Sequence, residues 1–420
     1  MNAEIIAVGS EMLTAERVDT NSLYLAGELN KLGIEVVAKA VVGDDRARLA
    51  EAVAAAARRS PIVILSGGLG PTEDDVTREA VAQALDRKLV YDAEIAGALE
   101  RRFAQFQRKM AEINRRQAFL IEGAAALAND RGTAPGQWLE EPGGVVVLLP
   151  GPPYELRAMF ERQCLPRLAR IAPRLVIRAI ELRATGITES DLDQLIAPVY
   201  KKYDNPATTI LASDGTIQIH LRARAPTAAE ADGLLAEVAG PIQQLLGDRI
   251  YSANGDPLEV VVGDLLVKAG ATLAVAESCT GGMLGERITS AAGSSRYFLG
   301  GLVTYQNAMK VELLGVSAEI LERFGAVSAE TAEAMAAGVR RRTGATYGLS
   351  VTGVAGPDPV AAPDGELLPV GTVYAGIADE ERVRSVHRRF PGDRQRIRIF
   401  STQWALDQLR LRLLGKLKAS

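Results

Sequence analysis

The chain has 420 residues, of which 47% are hydrophobic and 24% are charged, and its formal net charge is −4. This length exceeds one ordinary hydrophobic core, so two or three domains are expected, and the apolar content excludes a disordered chain. The basic residues are scattered along the sequence, which argues against a nucleic-acid-binding protein. Two cysteines are too few for a disulfide framework or a cysteine-based zinc site. No apolar run reaches membrane-spanning length and no basic leader precedes the first one, so we expect a soluble, cytoplasmic protein.

Strand and helix patterns alternate along the first part of the chain. Short apolar runs predict strands at residues 5–8, 34–42, 62–65 and 145–149, and amphipathic stretches between them predict helices, including a long one over residues 92–121. Asp44 is placed to cap the second helix, and the spacing of Thr72 and Asp75 resembles a capping box that opens the third. Such alternation is typical of a doubly wound α/β sheet, and we place this domain at residues 1–172.

The rest of the chain divides into two further segments. Residues 173–252 predict a small α+β domain, in which Asp214 and Gly215 form the turn of a β-hairpin. A polar stretch follows, and residues 253–420 return to α/β patterning, with helices predicted after Ser328 and from about Asp393. Strands are predicted in this last domain near residues 272–276, 301–305, 347–352, 372–378 and 382–389.

Polar and small residues follow three predicted strands of the C-terminal domain. They are Ser278, Thr280, Gly281 and Gly282 after the first, Tyr305 and Lys310 after the second, and Thr352 and Gly353 after the third; Ser294 and Ser295 lie between the first two, and Arg394 opens the last helix. Because the carboxyl ends of parallel strands meet at one edge, these residues can converge on one crevice. The backbone amides of residues 280–282, at a helix N-terminus, suit a phosphate monoester together with Arg394.

The inventory of side chains narrows the chemistry of this crevice. Only two histidines occur, His220 and His387, and neither lies beside a candidate nucleophile, so a Ser-His-Asp triad is not expected. A serine activated by a desolvated Lys310 fits instead, with Tyr305 as a proton relay or hydrogen-bond donor. Cys279 is a competing nucleophile that we expect to be a packing residue. Serine attack on a carboxamide, with loss of ammonia, fits this set of groups and requires no metal.

Several motifs, in order along the chain, resemble the bacterial competence/damage-inducible protein CinA family. They are Ser-Gly-Gly-Leu-Gly-Pro-Thr-Glu-Asp-Asp-Val-Thr (66–77), Leu-Pro-Gly-Pro-Pro-Tyr-Glu-Leu (149–156), Ala-Glu-Ser-Cys-Thr-Gly-Gly (276–282), Val-Thr-Tyr (303–305) with Lys310, Gly-Ala-Val-Ser (325–328), Thr-Gly-Val-Ala-Gly-Pro (352–357) and Pro-Val-Gly-Thr-Val (369–373). The resemblance implies three modules. The first is similar to molybdopterin-binding domains, the second is a KH-like linker, and the third is a nicotinamide mononucleotide deamidase domain.

The resemblance also implies a reaction. Nicotinamide mononucleotide would be hydrolysed to nicotinic acid mononucleotide and ammonia in pyridine-nucleotide recycling, by a homodimer that needs no cofactor for deamidation. The resemblance also implies that the site includes Tyr305, Lys310, Thr352, Gly353 and Arg394. Ser278 and Ser295 both fall in family motifs; we expect Ser295 to attack, with Ser278, Thr280 and Ser294 contacting the ligand or the oxyanion. Since the KH-like segment has no Gly-x-x-Gly loop, a structural spacer is expected rather than an RNA-binding module.

The first domain carries a second glycine-rich strand end. Its expected ligand residues are the glycines whose amides could approach a phosphate, a neighbouring hydroxyl, and two residues that open the first helix, namely Gly67, Gly68, Gly70, Thr72, Asn21 and Ser22. Asp44, Asp74 and Asp75 could hold magnesium, manganese or cobalt against a pyrophosphate. By resemblance the ligand is ADP-ribose or a pterin-like molecule. Two alternatives stay open: a metal-dependent ADP-ribose pyrophosphatase with an inactive C-terminal site, and a non-enzymatic DNA-binding module, which the acidic balance disfavours.

Overall fold

The fold is described from a computed structural model, which describes residues 1–105, 107, 109–173 and 175–417. The chain forms two compact units, the first comprising Met1–Arg178 with Arg224–Asp232 and the second comprising Ala179–Ala223 with Gly233–Ser420. Within the described ranges, no helix combines the length and the apolar character needed to cross a bilayer.

The first unit is built on one large sheet flanked by helices. Its elements are β1 (Asn2–Val8), α1 (Thr20–Lys31), β2 (Glu35–Val42), α2 (Arg46–Arg59), β3 (Ile62–Ser66), α3 (Thr77–Ala84), β4 (Leu89–Tyr91), α4 (Ala93–Gln105), β5 (Phe119–Ile121), β6 (Ala125–Leu127), β7 (Gly136–Glu141), β8 (Gly144–Leu149), α5 (Pro153–Met159) and α6 (Leu165–Ile171). Six strands follow the order β2-β1-β3-β8-β7-β6, and the first four of these are mutually parallel. Every residue of β3 is buried, as expected of a strand covered by helices on both faces.

The predicted long helix over residues 92–121 is wrong. Helix α4 ends at Gln105, a 3-10 helix covers Glu112–Ala118, and β5 follows at once; residues 106 and 108 of the predicted helix lie outside the described residues. Strand β5 pairs antiparallel with β4. This non-local pairing outweighs the helical propensity of the segment.

Both predicted helix caps in this unit are also wrong. The carboxylate that caps α2 belongs to Asp45, which accepts from Arg48 N, whereas Asp44 accepts from Ser10 N. Helix α3 begins at Thr77, so Thr72 and Asp75 bond to each other in the turn ahead of it and do not open the helix.

The middle segment forms a four-stranded sheet with two helices, in which the β10–β11 and β9–β12 pairs are antiparallel. Its elements are β9 (Val176–Thr185), α7 (Glu189–Tyr200), β10 (Ala207–Ser213), β11 (Thr216–Ala225), α8 (Ala228–Leu246) and β12 (Ile250–Ser252), with the strand order β10-β11-β9-β12. Asp214 and Gly215 connect β10 to β11 with φ values of 52° and 78°. Two consecutive positive φ values are the signature of a type I′ hairpin turn, so the predicted hairpin is confirmed.

The C-terminal segment is a second α/β sheet. Its elements are α9 (Leu258–Lys268), β13 (Leu273–Glu277), α10 (Met283–Ser290), β14 (Phe298–Val303), α11 (Asn307–Leu314), α12 (Ala318–Phe324), α13 (Ala329–Thr343), β15 (Tyr347–Gly353), β16 (Val360–Ala361), β17 (Leu367–Leu368), β18 (Thr372–Ala378), β19 (Val383–Arg389) and α14 (Arg394–Leu413). The strand order is β14-β13-β15-β18-β19. Strands β14, β13 and β15 run parallel, β18 runs antiparallel to β15, and β19 runs antiparallel to β18. The α/β fold class predicted from the sequence is confirmed.

Helices cover both faces of this second sheet. Residues of α9, α10 and α14 build one core cluster with one face, and Met335 and Val339 of α13 belong to a cluster on the other. Helix α13 lies very close to the sheet, because a Cβ on Gly348 or Gly376 would come within 2.1 Å or 2.2 Å of its backbone oxygens. The sheet is thereby held rigidly on both faces, with its carboxyl edge left for the site.

Candidate active site of the C-terminal domain

Three parallel strands deliver polar residues to one edge of the C-terminal sheet. Glu277, the last residue of β13, is in register with Val303 of β14 and Val351 of β15. Ser278 N donates to Val351 O at 2.9 Å, and Thr304 N donates to Glu277 O at 2.8 Å. The three strand ends therefore meet, and the residues that follow them lie at the same edge of the sheet.

Ser278 and Lys310 are in direct contact at this edge of the sheet. The Lys310 side chain, only 1% exposed, places Nζ 3.3 Å from Ser278 Oγ, 3.0 Å from Thr304 O and 3.3 Å from Tyr305 O. An ammonium group has three N–H donors, which match these three oxygens. A neutral amine would keep two donors for the two carbonyls and turn its lone pair to the serine hydroxyl. The same geometry thus serves both protonation states of Lys310.

The environment of Lys310 favours the neutral state. Burial lowers the pKa of Lys310 below its usual value, since desolvation penalises the ammonium form. Among the described residues, no carboxylate forms an ion pair with Lys310. A buried lysine that is not held charged by an acid can act as a general base toward an adjacent hydroxyl.

Ser295, the nucleophile we expected, lies at the other edge of the sheet. It belongs to a 3-10 helix, Ser294–Arg296, that ends just before β14. Tyr297 O accepts from Leu273 N, at the amino end of β13, whereas Ser278 follows the carboxyl end. A strand rises about 3.3 Å per residue, so β13 separates the two serines by roughly 16 Å. Ser294 and Ser295 are therefore not brought together with Lys310, and this expectation is corrected in favour of Ser278.

The helix N-terminus expected to capture phosphate is already occupied by Glu277. This carboxylate, 2% exposed, accepts from Gly282 N and Leu284 N at 3.0 Å and from Gly285 N at 2.8 Å. Gly281 N donates to Ser278 O. The amides of Gly281 and Gly282 are thus committed inside the protein, and the prediction that these two bind a phosphate is corrected.

Glu277 fixes the loop that carries the serine. Gly281 and Gly282 adopt φ values of 58° and 98°, which bend the chain so that the amides of α10 return to the end of β13. Arg398 of α14 donates to Thr280 O at 2.6 Å and steadies the same loop. The sequence analysis predicts no role for either Glu277 or Arg398. For Glu277, the available signal is its position as an acidic residue directly before the serine-containing loop and the two glycines that start the helix.

Two backbone amides of the loop are not used internally. Among the described residues, neither Cys279 N nor Thr280 N donates to an acceptor. They follow Ser278 directly, the position from which amides commonly stabilise an oxyanion next to a nucleophile. Thr280 Oγ1 and Thr304 Oγ1 are buried polar atoms without a partner, so they add two hydroxyl groups beside the same edge.

Tyr305 and Arg394 form the exposed part of the site. Tyr305 is 56% exposed, and its hydroxyl accepts from Arg394 Nη2 at 2.9 Å, while Arg394 Nη1 donates to Gly356 O at 2.8 Å. Only the backbone oxygen of Tyr305 contacts Lys310. The predicted proton relay from Tyr305 to Lys310 is thus absent from this arrangement. Arg394 retains further N–H donors that can meet an anionic group.

The remaining predicted residues of this site have structural explanations. The Thr352 hydroxyl donates to Ala326 O at 2.6 Å. A Cβ on Gly353 would lie 2.7 Å from Thr372 O, so glycine is required for close strand packing. Cys279 is buried in the core, and burial raises its thiol pKa to about 12, which makes it a packing residue rather than a nucleophile.

The glycine-rich turn of the first unit packs more tightly than the phosphate-binding prediction assumed. A Cβ added to Gly67 would lie 2.3 Å from Val8 O, and one added to Gly68 would lie 2.2 Å from Thr77 Oγ1. A Cβ added to Gly70 would lie 2.3 Å from Asp75 Oδ2. The glycines are therefore explained by packing of the turn itself. Buried Arg78 also holds the turn, donating to Leu69 O and Gly70 O.

A separate crevice of about 350 Å³ opens at the carboxyl ends of β1, β3 and β8. Of the six ligand residues predicted for this domain, Asn21 lines it, whereas Ser22, Thr72 and the three glycines do not. Asn21 Nδ2 donates to Gly151 O at 2.8 Å, and Asn21 Oδ1 is buried without a partner, as is Ser22 Oγ.

The three aspartates predicted to hold a metal do not form a suitable ligand set. Across the described ranges, no group of three or more His, Cys, Asp or Glu side chains is arranged to hold a metal ion. The Asp44 carboxylate accepts from Ser10 N and that of Asp75 from Thr72 N, while Asp74 is exposed. Two of the three carboxylates are thus committed to the backbone, and the proposed divalent ion does not fit them.

Fold and site together define a three-module α/β protein with a buried serine–lysine pair in its last module. Residues 4–170 match the probable molybdopterin binding domain, residues 181–252 the damage-inducible protein CinA KH domain, and residues 255–413 the CinA C-terminal domain. The chain belongs to the CinA family of competence/damage-inducible proteins.

Relatives match over the full length. A CinA-like protein from Solibacter usitatus is 69% identical over 99% of both chains, and one from Koribacter versatilis is 47% identical over 99% of this chain and 100% of its own. A CinA superfamily protein of known structure from Klebsiella pneumoniae is 30% identical over 38% of this chain and 96% of its own, with a TM-score of 0.36.

Proposed function

We propose that the C-terminal domain is an amidohydrolase that converts nicotinamide mononucleotide to nicotinic acid mononucleotide and ammonia. The observation that carries this proposal is the 3.3 Å contact between Ser278 Oγ and the buried Lys310 Nζ. A hydroxyl with an adjacent, desolvated amine is suited to acyl transfer from an amide. The substrate itself is inferred from the family motifs around this pair.

The first half of the reaction forms an acyl-enzyme. Ser278 Oγ attacks the carboxamide carbon while its proton passes to Lys310 Nζ, and the amides of Cys279 and Thr280 donate to the resulting oxyanion. The C–N bond then breaks, and Lys310 returns the proton to the departing nitrogen, which leaves as ammonia. The pyridine ring remains attached to Ser278 as an ester.

The second half releases the acid. A water molecule attacks the ester carbon and gives its proton to Lys310, and the bond to Ser278 Oγ breaks as the serine recovers that proton. Arg394, at the exposed mouth of the site, would hold the substrate phosphate with the N–H groups that Tyr305 and Gly356 do not use. No step requires a metal or an organic cofactor.

The proposal is tested by ammonia release from nicotinamide mononucleotide by the purified full-length protein, with and without a chelator. We expect stoichiometric ammonia and nicotinic acid mononucleotide, and equal rates with and without the chelator. Folded protein that releases no ammonia, or a reaction abolished by the chelator, would contradict the proposal.

We also propose that the crevice lined by Asn21 in the first domain binds a nucleotide- or pterin-sized ligand. Its support is the buried, unpartnered Asn21 Oδ1 of a residue that lines the crevice, at the carboxyl edge of a parallel sheet. Because the three aspartates are not disposed to bind a metal ion, we do not propose metal-dependent pyrophosphate hydrolysis there.

A further inference from the structure

The second compact unit contains a cavity of about 380 Å³ between the middle module and the C-terminal domain. One wall is formed by the β10–β11 hairpin and the start of α7, and the other by the end of β19 and one side of α14. We call this cavity the arginine cleft. The residues of the second wall that matter here are Arg388, Arg389, Phe390, Arg396, Phe400 and Trp404. None of the residues of the Ser278 site lines it.

The arginines of the cleft form no close ion pairs with any described residue, although Arg388 interacts electrostatically with Asp407 of the same cleft. Within the described part of the chain, Arg388, Arg389 and Arg396 make no ion pair with a carboxylate. The Arg388 guanidinium lies 5.6 Å from the ring centroid of Phe390, and that of Arg396 lies 5.3 Å from the ring centroid of Phe400. Stacking orders a guanidinium and leaves its edge N–H groups free, which is the geometry that binds a phosphate.

A buried amide adds a second, independent indication of a ligand. Gln403 lines both the cleft and a neighbouring cavity that contains Arg287, and it is 3% exposed. Its Oε1 accepts from Arg287 Nη2 at 2.8 Å, and since arginine can only donate, this bond fixes the orientation of the amide. The opposite end, Gln403 Nε2, is buried without a partner. A buried donor of this kind is normally satisfied, so a bound hydrogen-bond acceptor would complete it.

Acidic residues limit what the cleft can hold. Asp407 also lines it but is paired with Arg410 at 2.7 Å. Glu189 and Asp214 are exposed on the hairpin wall, opposite the arginines. The cleft therefore accepts negative charge at the arginine wall and repels it at the other. This favours a small ligand with one anionic end over a polynucleotide, whose backbone carries charge along its whole length.

We propose that the arginine cleft binds a mononucleotide-like ligand, that is, a planar heteroaromatic ring joined to a single phosphate group. The phosphate lies against Arg388 and Arg396, the ring packs on the aromatic residues of the same wall, and a ring acceptor takes the free Gln403 Nε2. The volume lies within the usual range for sites of small ligands, roughly 300–1,000 Å³. This site is separate from the proposed deamidase site and does not depend on it.

The chain offers a local reporter for this site. It has two tryptophans, Trp138 in the first domain and Trp404 in the cleft, so W138F leaves Trp404 as the only one. Full-length W138F protein is titrated with AMP while Trp404 emission is recorded, and adenosine and inorganic phosphate serve as probes of the two halves of the ligand. We expect a saturable change with AMP, and binding at least about tenfold weaker for adenosine or phosphate alone.

Variants in the W138F background assign the signal to the cleft. R388A and R396A should each weaken AMP binding by about tenfold or more, and R396K should restore part of it by keeping the charge without the planar stack. R341A removes an exposed arginine outside the cleft and should have no effect. A Trp404 signal that does not saturate with AMP, or one that R388A and R396A leave unchanged, would overturn the proposal. So would tighter binding of a single-stranded RNA than of AMP, which would assign the arginines to nucleic acid.

Discussion

At the scale of single residues, the chemistry of this protein depends on the protonation state of one lysine. Lys310 is buried beside Ser278 and two backbone oxygens, and no carboxylate in the described part of the chain forms an ion pair with it. A base must be neutral to accept a proton, and burial moves the pKa of Lys310 downward, so the neutral fraction at a given pH increases. In the proposed reaction, this shift allows Lys310 to take the role that histidine has in other serine hydrolases.

The pH dependence of ammonia release tests this role. Since the neutral amine is the active form, the rate should rise with pH up to the lowered pKa of Lys310 and level off above it. K310Q should lose about 10²–10⁴-fold in kcat and lose this acid limb as well, whereas K268Q, at an exposed lysine of α9, should retain both. An unchanged acid limb in K310Q would assign the titration to another group.

At the scale of elements, the loop between β13 and α10 positions the nucleophile. Glu277 accepts from three amides of the α10 terminus and thereby ties the helix to the strand that ends at Ser278. A carboxylate that receives several N–H groups at a helix start is also stabilised by the helix dipole. The sequence pattern suggested a ligand site at these amides, but the protein supplies its own anion there.

Replacement of this carboxylate should affect both stability and rate. In E277Q one amide oxygen replaces two carboxylate oxygens, and an NH2 group faces backbone donors, so we expect a loss of about 1–3 kcal/mol in unfolding free energy. We also expect kcat to fall more than KM changes, because Ser278 is displaced while Arg394 is not. E286Q, on the exposed side of the same helix, is the matched control and should stay within about 0.5 kcal/mol of the parent. Denaturant titrations with ammonia assays on the same samples provide the measurement, and an E277Q protein of unchanged stability and kcat would contradict this role.

Elements with strong local sequence patterns could be predicted. Elements whose structure depends on contacts with distant parts of the chain could not. The four parallel strands of the first sheet, the strands of the C-terminal sheet and the hairpin at Asp214 carry apolar-run or turn signals, so they could be predicted, whereas β6 and β7 of the first sheet were not. The break after Gln105 arises from the pairing of β4 with β5, which no local pattern reveals. Ser295 was preferred on family motifs, although it precedes a strand; site residues of parallel sheets follow strands, and that rule would have selected Ser278.

At the scale of the whole molecule, the two candidate sites belong to different sheets, the six-stranded sheet of the first domain and the five-stranded sheet of the C-terminal domain. The crevice lined by Asn21 lies at the edge of the first, and the Ser278–Lys310 pair lies at the edge of the second. The carboxylate of Asp75 bonds only within its own turn, next to Thr72. A change at Asp75 should therefore be local to the first domain.

D75A tests the independence of the two sites. Ammonia release from nicotinamide mononucleotide by D75A should stay within about twofold of the parent, because substitutions at sites without shared partners act additively. Circular dichroism confirms that the variant is folded before rates are compared. Loss of deamidation in a folded D75A protein would show that the first domain contributes to the reaction.

The central claim is that Ser278, and not Ser295, attacks the carboxamide. Side-by-side rates of ammonia release by S278A and S295A at saturating nicotinamide mononucleotide test it most directly. We predict that S278A loses at least about 10³-fold in kcat, as expected for removal of a nucleophile, while S295A keeps the rate of the parent. The reverse result, an active S278A with an inactive but folded S295A, would contradict the account.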